Sequence, residues 1–291
     1  MRYEIKSTIA YSYGGPSDHA RTVVRLLPSN IAGAQTISSR LLTIDPMPGE
    51  RRDFTDFFGN AVTVLAFHDA IDQITLSLVA QAERVADPAA LDLSPPFPRL
   101  AAEMAGLRQL TPAAPHHFLG PSPRIAPTGA IADFARSTVD PSMTAVQAVE
   151  TLGHAIHTTM TFRSGSTDVD TRAEDAFDRR EGVCQDFSHI MIAGLRGIGI
   201  PAGYVSGFLR TLPPPGQPRL EGADAMHAWV TAWCGAEAGW IAFDPTNATR
   251  VGQDHIVVAT GRDYSDVSPV RGALRSAGLQ SSHHSVDVRP L

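Results

Sequence analysis

The sequence predicts an α+β protein: an N-terminal antiparallel β-domain over residues 1–85, a proline-rich linker or wrapping segment over 86–127, and a mixed helix and antiparallel sheet region over 128–291. Three observations predict it. Tyr3, Ile5, Ser7, Ile9 and Tyr11 alternate with Glu4, Lys6, Thr8 and Ala10, the period-two signature of a half-buried strand. Nine prolines fall between Asp87 and Pro127, which leaves room there for little more than one short helix, Arg99 to Leu110. Beyond that segment the apolar spacing first becomes helical and then, from residue 225 onward, returns to that of a β-hairpin.

In the first region, further strands are predicted over 21–27, 36–44, 61–67 and 74–82, with a turn at Phe57–Asn60. In the last, Thr128 is a candidate cap for a short helix carrying Ile131 and Phe134. Asp140-Pro141 reads as an N-cap followed by proline at the first helical position, ahead of Ala145, Val149, Leu152 and Ile156. A two-turn helix is expected over 172–180. After Glu181-Gly182-Val183, the segment CQDFSHIMIAGLRGIGIP sets Phe187, Ile190, Met191 and Leu195 on one helix face, with Gly194 in the same stripe where another element can approach closely.

Composition narrows the function. The chain has 291 residues, 43% hydrophobic and 19% charged, and a net charge of −6, so no global positive field exists to hold nucleic acid or an anionic membrane. No apolar run is long enough to span a bilayer, and the start alternates like a strand, so the expectation is a cytoplasmic protein. Its two cysteines, Cys184 and Cys234, are expected to stay reduced. No phosphate-binding or dinucleotide-binding glycine motif is present, and neither a cofactor nor a metal is expected.

Cys184 opens the informative helix. There, unpaired N–H groups and the positive end of the macrodipole favour thiolate over thiol; a small buried hydrophobe is the alternative reading. Downstream, DAMHAWVTAWCGAEAGWIAFDPTN reads as a hairpin with His227 near one end and Asp244 near the other. Placing these two directly opposite each other sets Cys234 against Glu237 across a two-residue loop, Gly235-Ala236, and puts imidazole and carboxylate on one face. Trp229 and Trp233, on the same face, are expected to pack into the core. Cys, His and Asp together supply a nucleophile, a base and an orienting carboxylate.

The stretches GVCQDFSHIMIAGLRGIGIPAGYVSGFL, HAWVTAW, GWIAFDPTN and GRDYSDVSPVRG, in that order, closely resemble the bacterial transglutaminase-like proteins, often described as cysteine proteases. The first 85 residues resemble that family's β-rich N-terminal region. The resemblance implies a papain-related core in which a helix bearing the cysteine packs on an antiparallel sheet, with Cys184 as nucleophile, His227 as base and Asp244 as orienting carboxylate. Two positions depart from it: Gly203 stands where relatives often carry arginine, and Met226 where a small hydroxyl residue commonly precedes the histidine. Animal transglutaminases use a tryptophan upstream of the cysteine at the oxyanion, whereas Trp229, Trp233 and Trp240 all lie downstream. The Cys184 backbone N–H is the one oxyanion donor expected.

The expected function is thiol-dependent acyl transfer, as a cysteine peptidase or amidase acting on a peptide or protein amide through a thioester on Cys184. A protein-glutamine transglutaminase with an amine acceptor is the alternative, and a non-catalytic peptide-binding module the second. The His116-His117, His154/His157 and His283-His284 pairs have no acidic or thiol partner at ligand spacing and are expected to be surface or local contacts. His189 stands five positions after Cys184, off its helix face, so no proton relay is expected of it. Gln185 and Asp186 either bond locally in the first helical turn or, for Asp186, anchor the site. The proline-rich loop 211–224 is expected to border the cleft.

Overall fold

A computed structural model describes residues 1–85, 91–126, 129–211, 224–275 and 280–291. The expected cap at Thr128 and the loop residues 212–223 lie outside them. The opening alternation continues as one long strand, β1 (Arg2–Val24), where the sequence suggested two. With it lie β2 (Gln35–Asp45), β3 (Glu50–Thr55), β4 (Ala61–Ala66) and β5 (Ile71–Arg84), in the order β2-β5-β1-β4-β3. An irregularity between Ser12 and Ser17 divides β1: residues 2–12 pair with β5, and 21–24 with β4. β3 was not anticipated; all six of its side chains are exposed, so no apolar face announces it.

The second region follows the expected order of elements. Helices α1 (Leu100–Gly106), α2 (Gly129–Thr138), α3 (Ala145–Thr159) and α4 (Ala173–Arg179) lead through the short parallel pair β6 (Thr161–Phe162) and β7 (Glu181–Gly182) into α5 (Cys184–Gly197). The cap of α3 is Thr144, bonded to Gln147 in a reciprocal capping box, and not Asp140, whose carboxylate instead accepts from Ser142 in a local turn. Strands β8 (Ala202–Leu209), β9 (Ala225–Trp233), β10 (Trp240–Asp244), β11 (Thr249–Arg250) and β12 (His255–Gly261) form an antiparallel sheet ordered β11-β10-β9-β8-β12. The close approach expected at Gly194 is present: a Cβ there would lie 3.1 Å from Leu152 and 3.4 Å from Ala135.

After the short α6 (Tyr264–Val267), the chain crosses back. β13 (Val270–Arg275) and β14 (Gln280–Pro290) both pair antiparallel with β1, from Val270 opposite Val24 to Pro290 opposite Tyr3. The sequence division places residues 270–275 and 280–290 with the second region; the register places them in the first sheet. One core is shared as a result: Tyr3, Ile5, Leu78, Val286 and Val288 pack in the same cluster as Val149, Leu152, Ile190 and Val230.

Side-chain amides from the first sheet dock on the free edge of the second. Gln35 donates to Val257 O (2.8 Å) and accepts from Val257 N (2.9 Å), and Asn60 does the same with Thr260 (2.8 Å each way). These bonds satisfy backbone groups of edge strand β12 that would otherwise be unpaired.

Candidate active site

The start of α5 is shaped by its own first turn. Val183 is extended, and the Asp186 carboxylate turns back to accept from the Val183 N–H (2.8 Å) and the Thr167 hydroxyl (2.6 Å). A Cβ on Gly182 would come within 2.7 Å of Asp186, so glycine is required by that close approach. Gln185 donates to Val169 O (3.2 Å). Asp186 therefore bonds locally in the first turn, whereas Gln185 ties the helix start to the segment before α4. Cys184 is left half-buried as the first helical residue, with a backbone N–H that has no acceptor within the helix.

The hairpin carries the other two groups, in a register that corrects the expected one. Trp240 pairs with Trp233 and Phe243 with Val230, which continues to Asp244 beside Trp229 and not beside His227. The loop spans residues 234–239, closed by Cys234 N–H to Gly239 O (2.8 Å) and Gly239 N–H to Gly235 O (2.9 Å), with both glycines at positive φ. The expected two-residue loop, Gly235-Ala236, uses only one of these glycines, whereas the observed loop takes up both at positive φ. The shift is two residues, so parity survives: His227 and Asp244 share a face as diagonal neighbours.

His227 Nε2 lies 2.7 Å from Asp244 Oδ2. The ring also stands beside Cys184, which interacts with it; with Nε2 engaged by the carboxylate, Nδ1 is the nitrogen left to face the sulfur. Burial disfavours the charged ring, but the bond to Asp244 and the neighbouring Cys184 outweigh it and push the His227 pKa up to about 10. Asp244 has no exposed surface, which alone would raise its pKa. Its donors prevail and hold it far below the ordinary carboxylate range: His227, His255 (3.2 Å) and Asn247 Nδ2 (2.7 Å) on Oδ2, and the backbone N–H groups of Thr246 (2.9 Å) and Asn247 (3.1 Å) on Oδ1.

Trp229 is buried, its ring centroid 6.2 Å from His227 and 5.2 Å, edge-on, from His255. Gly207, paired with His227 on β8, makes room for it, because a Cβ there would overlap the indole and the Ile256 carbonyl. Trp233 is buried too. On the same sheet face a cavity of about 490 Å³ is lined by Trp229, Thr231, Trp240 and Ala242, and roofed by Phe58 and Phe118. The departure at Gly203 has a packing basis: Phe118, from the proline-rich segment, would lie 2.8 Å from a Cβ at that position. Met226 packs between the cores of the two sheets.

The other histidines take local parts. His189 is buried, its Nε2 accepts from the Tyr264 N–H (3.2 Å), and burial drives its pKa down to about 4. His157 reaches Thr246 O (2.9 Å), and His154 meets the Phe243 ring edge-on. Two contributors to the site were not singled out from sequence, Asn247 and His255. The first was findable, since Asp-Pro-Thr-Asn is an Asx-turn pattern in which the carboxylate caps the following N–H groups. The second carries no local signal. His227, Asp244 and His255 present ligand atoms within 4.8 Å of one another, and are, among the described residues, the one group so placed. An ion there would have to displace the protons of both Nε2 bonds to Asp244.

Comparison with known proteins agrees with this architecture. Residues 132–245 match the transglutaminase-like superfamily and residues 3–83 the bacterial transglutaminase-like N-terminal region. An uncharacterized protein of Mycobacterium tuberculosis is 35% identical over 99% of this chain and 93% of its own. Another, from Mycobacterium leprae, is 27% identical over 100% and 99%. The fold is shared with a solved structure from Cytophaga hutchinsonii described as a putative cysteine protease, at a TM-score of 0.75 and 23% identity, covering 99% of this chain and 90% of that one. The chain belongs to the transglutaminase-like superfamily, with that family's bacterial N-terminal region. No helix among the described residues is long and apolar enough to cross a membrane.

Proposed function

We propose that the protein is a thiol-dependent amidase or peptidase, in which Cys184 attacks a peptide or protein amide and water resolves the thioester. The observation that carries this reading is the placement of Cys184 beside His227, whose Nε2 is held at 2.7 Å by a fully buried Asp244. His227 takes the proton of the Cys184 thiol. The thiolate attacks the carbonyl carbon, and the Cys184 N–H at the helix start faces the charge that develops on oxygen. As the C–N bond breaks, His227 gives its proton to the departing amine; the neutral ring then takes a proton from the water that attacks the thioester. Asp244 keeps the imidazole in one tautomer and orientation throughout. A cytoplasmic setting suits the two unpaired thiols.

A transglutaminase would use the same chemistry with an amine in place of water. Hydrolysis is favoured because nothing among the described residues of the site is arranged to hold a lysine chain. Product analysis on glutamine-containing peptides, with and without an added primary amine, tests it. Free acid in both conditions is expected; an amine adduct that replaces the acid would assign the transferase instead. No product from any peptide and no labelling of Cys184 by a thiol-reactive amide probe would leave only the binding-module reading.

A further inference from the structure

We infer that His255 is a positioning residue for the reaction, acting through Asp244 and touching neither substrate nor sulfur; this rests on the function proposed above. His255 lies on β12, a strand apart from the hairpin, yet its Nε2 meets the same carboxylate oxygen, Oδ2, that takes the His227 bond. Its other nitrogen is engaged as well: Nδ1 accepts from the Gly252 N–H at 3.3 Å. That bond assigns the proton to Nε2, so His255 is a donor toward Asp244. The ring is buried and held edge-on by Trp229.

The arrangement has a physical purpose. A carboxylate with no exposed surface needs its lone pairs filled, and on Oδ2 three donors converge: His227, His255 and Asn247. Asn247 is part of the turn that follows Asp244, and His227 is the partner to be aimed. His255 is the donor fixed from an independent strand, two residues before Val257, where the Gln35 amide clamps β12 to the first sheet. Without His255 the carboxylate keeps only the donors of its own turn and His227, and loses the one that fixes Oδ2 from another strand, so the aim of the imidazole loosens with it. Among the described residues, the titratable groups bonded to Asp244 are His227 from β9 and His255 from β12.

The test uses the full chain and iodoacetamide at pH 6, where a thiolate persists only if paired with the imidazolium. In the unmodified protein Cys184 should alkylate far faster than a simple thiol; equality would overturn the nucleophile assignment itself. With that established, His255→Leu should slow alkylation about tenfold or more, as should His255→Phe, which keeps an aromatic ring against Trp229. His255→Gln, which restores an N–H donor near Nε2, should return the rate to within about threefold. Melting curves show which variants are folded. A folded Leu or Phe variant that alkylates at the unmodified rate would overturn the inference, and so would a folded Gln variant as slow as they are.

Discussion

The two ends of strand β9 lie beside one residue type in two different surroundings. Near its first residues stands His227, and against that ring lies Cys184, half-buried at a helix start. Just past its last residue stands Cys234, wholly buried, bonded only weakly to the Ala232 carbonyl at 3.7 Å. Burial pushes the Cys234 thiol up to about 12. The comparison teaches that a thiol's chemistry is set by what faces it. Both cysteines are free, and only one has a base.

The largest expected effect follows directly. Cys184→Ser should cost on the order of 10⁵-fold in turnover with the fold retained, because a hydroxyl beside the same imidazole forms no comparable ion pair. Steady-state rates with circular dichroism as a folding control would show it. Asp244→Asn should come next, with a loss of roughly 10³-fold or more, since an amide cannot accept in the same way from three donors on one oxygen and the imidazole loses its tautomer control. An Asp244→Asn protein that is folded and retains most of its rate would remove the carboxylate from the account.

The histidines sharpen the same lesson through stability. His189 is neutral in the fold, with a pKa of about 4 against 6.5 unfolded, so between those values the unfolded chain binds the extra proton. Its contribution is complete above pH 6.5 and lost as pH falls toward 4, a change on the order of 3 kcal/mol. His227 has the opposite sign: raised to about 10, it contributes below pH 6.5 and loses that contribution as pH rises through 10. Urea unfolding between pH 4 and 6.5 should show a slope that flattens in His189→Gln, and an unchanged slope would contradict this placement.

Smaller effects complete the series. Gly207→Ala should destabilise by about 1–3 kcal/mol, because the added methyl meets the Ile256 carbonyl and the Trp229 ring, and it should also disturb the site that ring covers. Cys234→Ala should leave turnover within about twofold and cost about 1 kcal/mol of stability for the packing lost in a closed core. Thermal melts and rates on the two variants measure both.

Much of this was legible in the sequence because the signals were local. The period of Tyr3–Tyr11, the helix that begins at Cys184 and the hairpin parity of His227 and Asp244 each depend on neighbours in the chain. What was missed depends on groups distant in sequence. His255 sits in an ordinary strand, HIVVATG, and matters only because β12 folds beside β8. The pairing of β14 with β1 joins residues more than 260 positions apart. The exact register failed for a different reason: the turn is built on two glycines, Gly235 and Gly239, and only one was counted as part of it. The phase of the two-residue repeat was robust to that error, so the site survived it.

The measurement that tests the central claim most directly is to trap the acyl group. Wild-type protein is mixed with a peptide amide substrate, quenched in acid during turnover, digested and mapped by mass spectrometry. The account predicts a hydroxylamine-labile acyl group on Cys184, and none on Cys234. Continued turnover with Cys184 unmodified, or an acyl group on Cys234, would contradict it.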